Sequence, residues 1–107
     1  MAATPEGRVK AGIAKLLKAK GIWYFLPVSN GMGRHGIPDF ICCHGGKFLA
    51  IEAKAPGKLA NVSAQQEREI NAIRVARGIA LVIDDPAKLD EYFKEIDHVG
   101  DSTDSAG

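Results

Sequence analysis

Two strand-like segments, residues 39–44 and 47–54, flank the dipeptide Gly45-Gly46. A Gly-Gly pair between strand-like runs marks a tight hairpin, because the favoured two-residue turns need positive φ. That turn fixes a register. His44 faces Lys47, Cys43 faces Phe48, Ile41 faces Ala50 and Asp39 faces Glu52, and any symmetric turn of two or four residues keeps those pairs. Opposed residues hold their Cβ atoms about 4.5–5.5 Å apart, where like charges repel. Lys54, two residues beyond Glu52, points to the same face, while Leu49, Ile51 and Ala53 point to the other. Two carboxylates held together call for a cation, and hard oxygen donors suit Mg²⁺ or Mn²⁺.

The rest of the chain supplies elements to build around this hairpin. Thr4-Pro5 starts a helix, with Val9, Ile13, Leu16 and Leu17 as its apolar stripe and Gly21 closing it. Lys10, Lys15 and Lys18 fall off that stripe, toward solvent. Residues 22–28 form an aromatic-rich strand that Pro27 ends or confines to an edge. Residues 29–38, with Gly31, Gly33 and Gly36, make a loop. A linker follows over 55–62, then Ser63 and Gln66 stand at capping-box spacing for a second helix. Ile70, Ile73 and Ala76 give that helix an apolar face, and Gly78 ends it. Residues 79–83 read as a buried strand. Asp85-Pro86 opens a last helix bearing Leu89, Tyr92, Phe93 and Ile96, and from residue 97 the chain turns small and polar, as a frayed, disordered tail would. The order is α-β-β-β-α-β-α, an α/β domain spanning residues 1–96.

Glu6 and Gln66 extend the carboxylate site. Glu6 lies in line with Val9 and Ile13, on the apolar side of its helix, where an ionised group is costly unless paired or near a metal. Gln66 is in line with Ile70 and Ile73. Each residue also has an ordinary explanation. Glu52 and Lys54 suit a solvated strand face, and Asp39 suits a turn after Pro38. Gln66 suits the return half of a capping box, and Glu6 suits a helix N-terminus with Lys10 four residues on. The site reading explains all five together.

Composition bounds the class. With 46% hydrophobic and 25% charged residues, the 107-residue chain matches a soluble globular domain. No apolar run approaches a bilayer span, and the N-terminal stretch interleaves apolar residues with lysines, unlike a secretory signal. Cys42 and Cys43 are adjacent, which makes no disulfide framework and suits a cytoplasmic setting. Consecutive on a strand with His44, they diverge, so packing is a better reading than zinc. No GK[ST] or GxGxxG signature appears. The net charge of +1 hides a split. Residues 1–58 carry nine basic residues against three acids, and 59–107 carry five against ten. Such asymmetry hints at a polyanionic partner. The three acids of the basic half are Glu6, Asp39 and Glu52, so that half reads as a phosphate-binding surface around a carboxylate pocket.

Gly36-Ile37-Pro38-Asp39, followed by Ile51-Glu52-Ala53-Lys54, resembles the PD-(D/E)xK nuclease signature. The wider pattern over about residues 5–83 is similar to the virus-type replication-repair nuclease (VRR-NUC) domain in its short, stand-alone, phage-like form. The resemblance implies a restriction-endonuclease-like core, α-β-β-β-α-β with a C-terminal helix, whose mixed central sheet is flanked by helices. It implies that Asp39, Glu52 and the Ala53 backbone carbonyl bind Mg²⁺ or Mn²⁺, with Glu6 completing the metal environment. It makes Lys54 the residue that positions or activates the attacking water, with Gln66 (or its neighbour Gln65) supporting the site.

The expected function is therefore metal-dependent DNA endonuclease activity. Arg34, His35, Lys10 and Lys58 would hold flanking phosphates, which gives affinity without sequence reading. With no appended base-reading module, branched DNA such as four-way junctions is the expected substrate. A homodimer is the expected assembly, and the cytoplasm, the host's if the chain is phage-encoded, is the expected location. The competing expectations are a non-catalytic nucleic-acid-binding module of the same fold and a small interaction protein docking through its acidic half.

Overall fold

The first helix, α1 (Pro5–Ala19), starts where capping predicts, with Thr4 Oγ1 accepting from the Gly7 N–H at 3.0 Å. It stops at Lys20, and Gly21 follows in the left-handed region. The computed structural model describes residues 3–28 and 33–106, and side-chain environments through residue 97. Expectations about residues 29–32 of the glycine-rich loop lie outside the described residues, as does the side-chain character of the tail. Three strands come next: β1 (Trp23–Phe25), β2 (Phe40–His44) and β3 (Lys47–Ala53). β1 is shorter than the 22–28 expected and stops before Pro27, which has no N–H for a ladder.

The Gly45-Gly46 turn is as the sequence requires, with φ of 59° and 78°. The ladder pairs His44 with Lys47, Cys43 with Phe48, Ile41 with Ala50 and Phe40 with Ile51, which is the expected register. After β3, helix α2 (Ala64–Val75) crosses over to β4 (Ile79–Ile83), which lies parallel to β3. The result is a mixed four-stranded sheet in the order β1-β2-β3-β4. The chain is thus an α/β fold with element order α-β-β-β-α-β-α.

Helix α3 (Pro86–Ala106) ends the fold. Asp85 caps it by accepting from the Ala87 N–H at 3.0 Å. It continues past residue 97, where the sequence suggested a disordered tail. The helical backbone thus runs on through a stretch of low intrinsic helix propensity, rich in Gly, Asp, Ser and Thr. Among the described residues, no helix is long and apolar enough to cross a membrane.

α1 and α3 cover one face of the sheet. There Val9, Ile13, Leu17, Leu89 and Phe93 pack on Phe40, Cys42, Leu49, Ile51 and Ala53. α2 lies on the opposite face, toward β4. β3 is therefore covered on both sides, and Leu49 through Ala53 are all buried. Of the cysteine pair, Cys42 is in the core and burial raises its thiol pKa to about 11, while Cys43 is exposed on the other face.

Helix α2 departs from its expected pattern at its second half. Its buried residues are Glu69 and Ile70, whereas Ala76 is exposed. The left-handed residue after it is Arg77, at φ 72°, and not Gly78. Gly78 matters for space instead, since a Cβ there would sit 2.8 Å from Ile73 Cγ2. Phe93 tests the core without touching the hairpin carboxylates. It is fully buried, with His44 edge-on to its ring at 5.2 Å. Phe93→Ala should lower unfolding free energy by about 3–5 kcal/mol, read as a lower urea midpoint at unchanged slope.

Candidate functional site

The ladder stops at Phe40, and the next residue back, Asp39, turns its carboxylate across to β3. Its Oδ2 accepts from the Ala53 N–H at 2.9 Å. That bond places Asp39 beside Glu52, at the end of the sheet where β2 begins and β3 finishes. Glu52 is 3% exposed and Lys54 8% exposed, so neither sits on a solvated strand face. They form an ion pair, Lys54 Nζ to Glu52 Oε2 at 3.5 Å.

Gln66 holds the pair. Its Oε1 accepts from Lys54 Nζ at 2.9 Å, and its Nε2 donates to Glu52 Oε2 at 2.9 Å. The same Oε1 accepts from the Ser63 N–H at 2.9 Å, while Ser63 Oγ accepts from the Gln66 N–H at 3.1 Å. Two donors at one end of the amide and an acceptor at the other leave it a single orientation. The capping box and the site bridge are thus one arrangement, made by Gln66; no such bond involves Gln65.

Gly36 brings the preceding loop against this point. Its φ is +84°, and a Cβ there would collide with the Gln65 carbonyl and lie 2.8 Å from the Gln66 N. The loop carrying Asp39 and the first turn of α2 therefore touch backbone to backbone. The sequence gives this glycine only as part of a loop.

The cations are distributed differently from the expectation. Lys10 turns from solvent and pairs with Asp39 Oδ1 at 3.3 Å. Arg34 pairs with Glu69 Oε2 at 3.1 Å, and Lys20 pairs with Asp90. With Lys54 on Glu52, four of the nine basic residues of the first half are matched to carboxylates, two of them from the second half. The charge split along the chain is consequently not a split between two faces. His35 is exposed and lines, with Arg34 and Asp39, a groove of ≈ 270 Å³. Lys58 is exposed in the turn after Lys54. Glu69, only 7% exposed, carries no local signal in the sequence, because its partner Arg34 lies 35 positions away.

Burial raises the Glu52 pKa to about 7, with the Asp39 charge adding to the shift, Lys54 opposing it and Glu6 contributing last. Glu6 is half-buried in the first turn of α1. It is near enough to be felt electrostatically, but among the described residues no three His, Cys, Asp or Glu side chains converge as a metal-holding group. The two carboxylates set side by side are Asp39 and Glu52, with Glu6 acting on Glu52 at longer range. This chemistry still fits Mg²⁺ or Mn²⁺, because Mg²⁺ is commonly held by one or two carboxylates and keeps several waters. The Lys10 ammonium against Asp39 already shows the spot attracting positive charge.

Compared with known proteins, the chain matches no family model and no curated sequence.

The strained carboxylate has a stability signature. Glu52 binds its proton more tightly folded, at about 7, than its ordinary value of 4.5. Its contribution to stability is thus full below pH 4.5 and lost as pH rises through 7. Without divalent ions, Glu52→Gln should stabilise the protein by about 1–3 kcal/mol at pH 8 and change little at pH 4.5. Denaturant titrations of both proteins at the two pH values check this.

Proposed function

We propose that this protein is a divalent-metal-dependent DNA endonuclease with a PD-(D/E)xK-type centre on a restriction-endonuclease-like core, akin to the VRR-NUC domain. The observation that carries the reading is the buried Glu52–Lys54 pair, bridged by Gln66 and set beside Asp39. An acid and a lysine with one residue between them belong on one strand face in any sheet. Burying both beside a second acid, with a glutamine fixing their geometry, is costly for structure alone. It suits a site where a charged substrate and a cation meet.

In this reading Asp39, Glu52 and the Ala53 carbonyl hold Mg²⁺ or Mn²⁺, and Glu6 adds negative charge from α1. When bound, the ion supplies Lewis-acid polarisation and a lowered pKa for water. Lys54 contributes a fixed ammonium that orients the attacking water and stabilises negative charge growing on the phosphate oxygens. Gln66 keeps Lys54 and Glu52 in place and does not itself react. Lys10, paired with Asp39 at 3.3 Å, stands at the edge of the site, where its ammonium would be within reach of a substrate phosphate. Arg34, His35 and Lys58 contact flanking phosphates, so recognition follows DNA structure and not base sequence. Branched DNA is the proposed substrate and a homodimer the proposed acting form.

One observation favours a non-catalytic DNA-binding module instead: Asp39 is neutralised by Lys10 with no metal needed. A panel of linear, nicked, flapped and four-way-junction DNAs with Mg²⁺, Mn²⁺ or EDTA separates the two. The endonuclease reading predicts metal-dependent cleavage, strongest on branched substrates. Lys54→Ala should lower its rate by about 100- to 1,000-fold, and Asp39→Ala and Glu52→Ala should abolish it. Salt-sensitive binding with no turnover in either metal would favour the binding module, and unchanged cleavage by Lys54→Ala would point to another site.

A further inference from the structure

The face of the sheet that carries Glu52 is only half covered. α2 lies over its β4 side, while among the described residues no helix packs on this face over β1 and β2. Side chains directly paired across a sheet share a face, as do residues two apart on a strand. Trp23, Cys43 and Phe48 therefore form one row, and Phe25, Ile41 and Ala50 form the next. Glu52 follows two residues further along β3. Trp23 is 60% exposed, Phe25 47% and Phe48 45%, and the first two rings meet edge to face at 5.7 Å. Exposing three aromatic rings on one face does nothing for the fold, and the six residues of these rows carry no charge.

We infer that this aromatic face is a stacking platform for unpaired bases of a single-stranded nucleic acid whose backbone runs toward the Asp39–Glu52 carboxylates. The spacing suits that role, since Phe48 lies four residues, about 13 Å, from Glu52 along one strand. The polar group beside the platform is a guanidinium, Arg34, which Glu69 holds through its Nε at 3.1 Å. Arg34, whose side chain is 74% exposed, lines the ≈ 300 Å³ groove beside Phe48 and also the ≈ 270 Å³ groove leading past Pro27 and Val28 to Asp39. His35 lines the second groove too. Flat apolar rings flanked by a guanidinium match the alternation of bases and phosphates in a single strand, where stacking on aromatics tolerates any base. A strand that pairs with nothing is what a branch, flap or gap presents. The inference rests on the nuclease reading and narrows its substrate to DNA with an unpaired segment beside the cleaved bond.

Trp23 is the single tryptophan of the chain and reports on the platform directly. In EDTA, where no cleavage occurs, its fluorescence is followed against a 12-nucleotide oligo(dT), an abasic strand of equal length and a blunt duplex. The platform predicts saturable quenching by oligo(dT), little by the abasic strand or the duplex, and about five- to tenfold weaker oligo(dT) binding in Phe25→Ala and Phe48→Ala. Equal quenching by the abasic strand would overturn it, because phosphate contacts would then suffice. Quenching that depends on protein concentration, with a sedimenting dimer lost in Trp23→Ala, would also overturn it, by assigning the face to a second copy. Running the titration without metal keeps the two readings apart. Cleavage of branched DNA with no base-dependent quenching rejects the platform alone, and quenching with no cleavage in any metal rejects the nuclease alone.

Discussion

One side-chain amide ties the candidate site together. Gln66 accepts from Lys54, donates to Glu52 and caps its own helix through Ser63. Without it, a buried carboxylate and a buried ammonium would lose their shared hydrogen-bond partner, at a cost of about 1–3 kcal/mol. Its position depends in turn on Gly36, whose lack of a Cβ lets the Asp39 loop rest on the α2 backbone. The hairpin register, the loop and the helix start meet at that amide.

The asymmetry of the sheet follows from the same arrangement. α1 and α3 bury one face around Phe40, Leu49 and Phe93. α2 must begin close enough to β3 for Gln66 to reach Glu52 and then deliver the chain to β4. A single crossover helix cannot also cover β1 and β2, so an aromatic half-face stays open beside the carboxylates. The strain on Glu52 has the same origin, because α2 removes it from water while Asp39 stands alongside.

The hairpin was legible in the sequence because two short-range rules act together there. Gly45-Gly46 sets the turn and the two-residue strand period sets the faces, so Asp39 and Glu52 could be placed side by side from spacing alone. Helix starts at Thr4, Ser63 and Asp85 were equally legible, since capping is local. What the sequence hid depends on distant partners. Glu69 looks like a solvent-facing charge until Arg34, 35 positions away, covers it. Lys10 looks solvated until the fold delivers Asp39 to it. The left-handed residue after α2 is Arg77, while Gly78 lies where a Cβ would meet Ile73, and both features depend on the packed fold. The counting of charges by chain half failed for the same reason, as Lys20 and Arg34 find their acids in the other half.

The most direct test of the account is whether the two carboxylates bind a divalent ion. Calorimetric titration of Mn²⁺ into the wild-type protein and into Asp39→Asn and Glu52→Gln, at pH 7.5 and low salt, measures it. The account predicts saturable binding to the wild type that either substitution weakens at least about tenfold, the loss of one charged ligand in a two-carboxylate site. No binding to the folded wild-type protein, or binding that both variants retain unchanged, would contradict it.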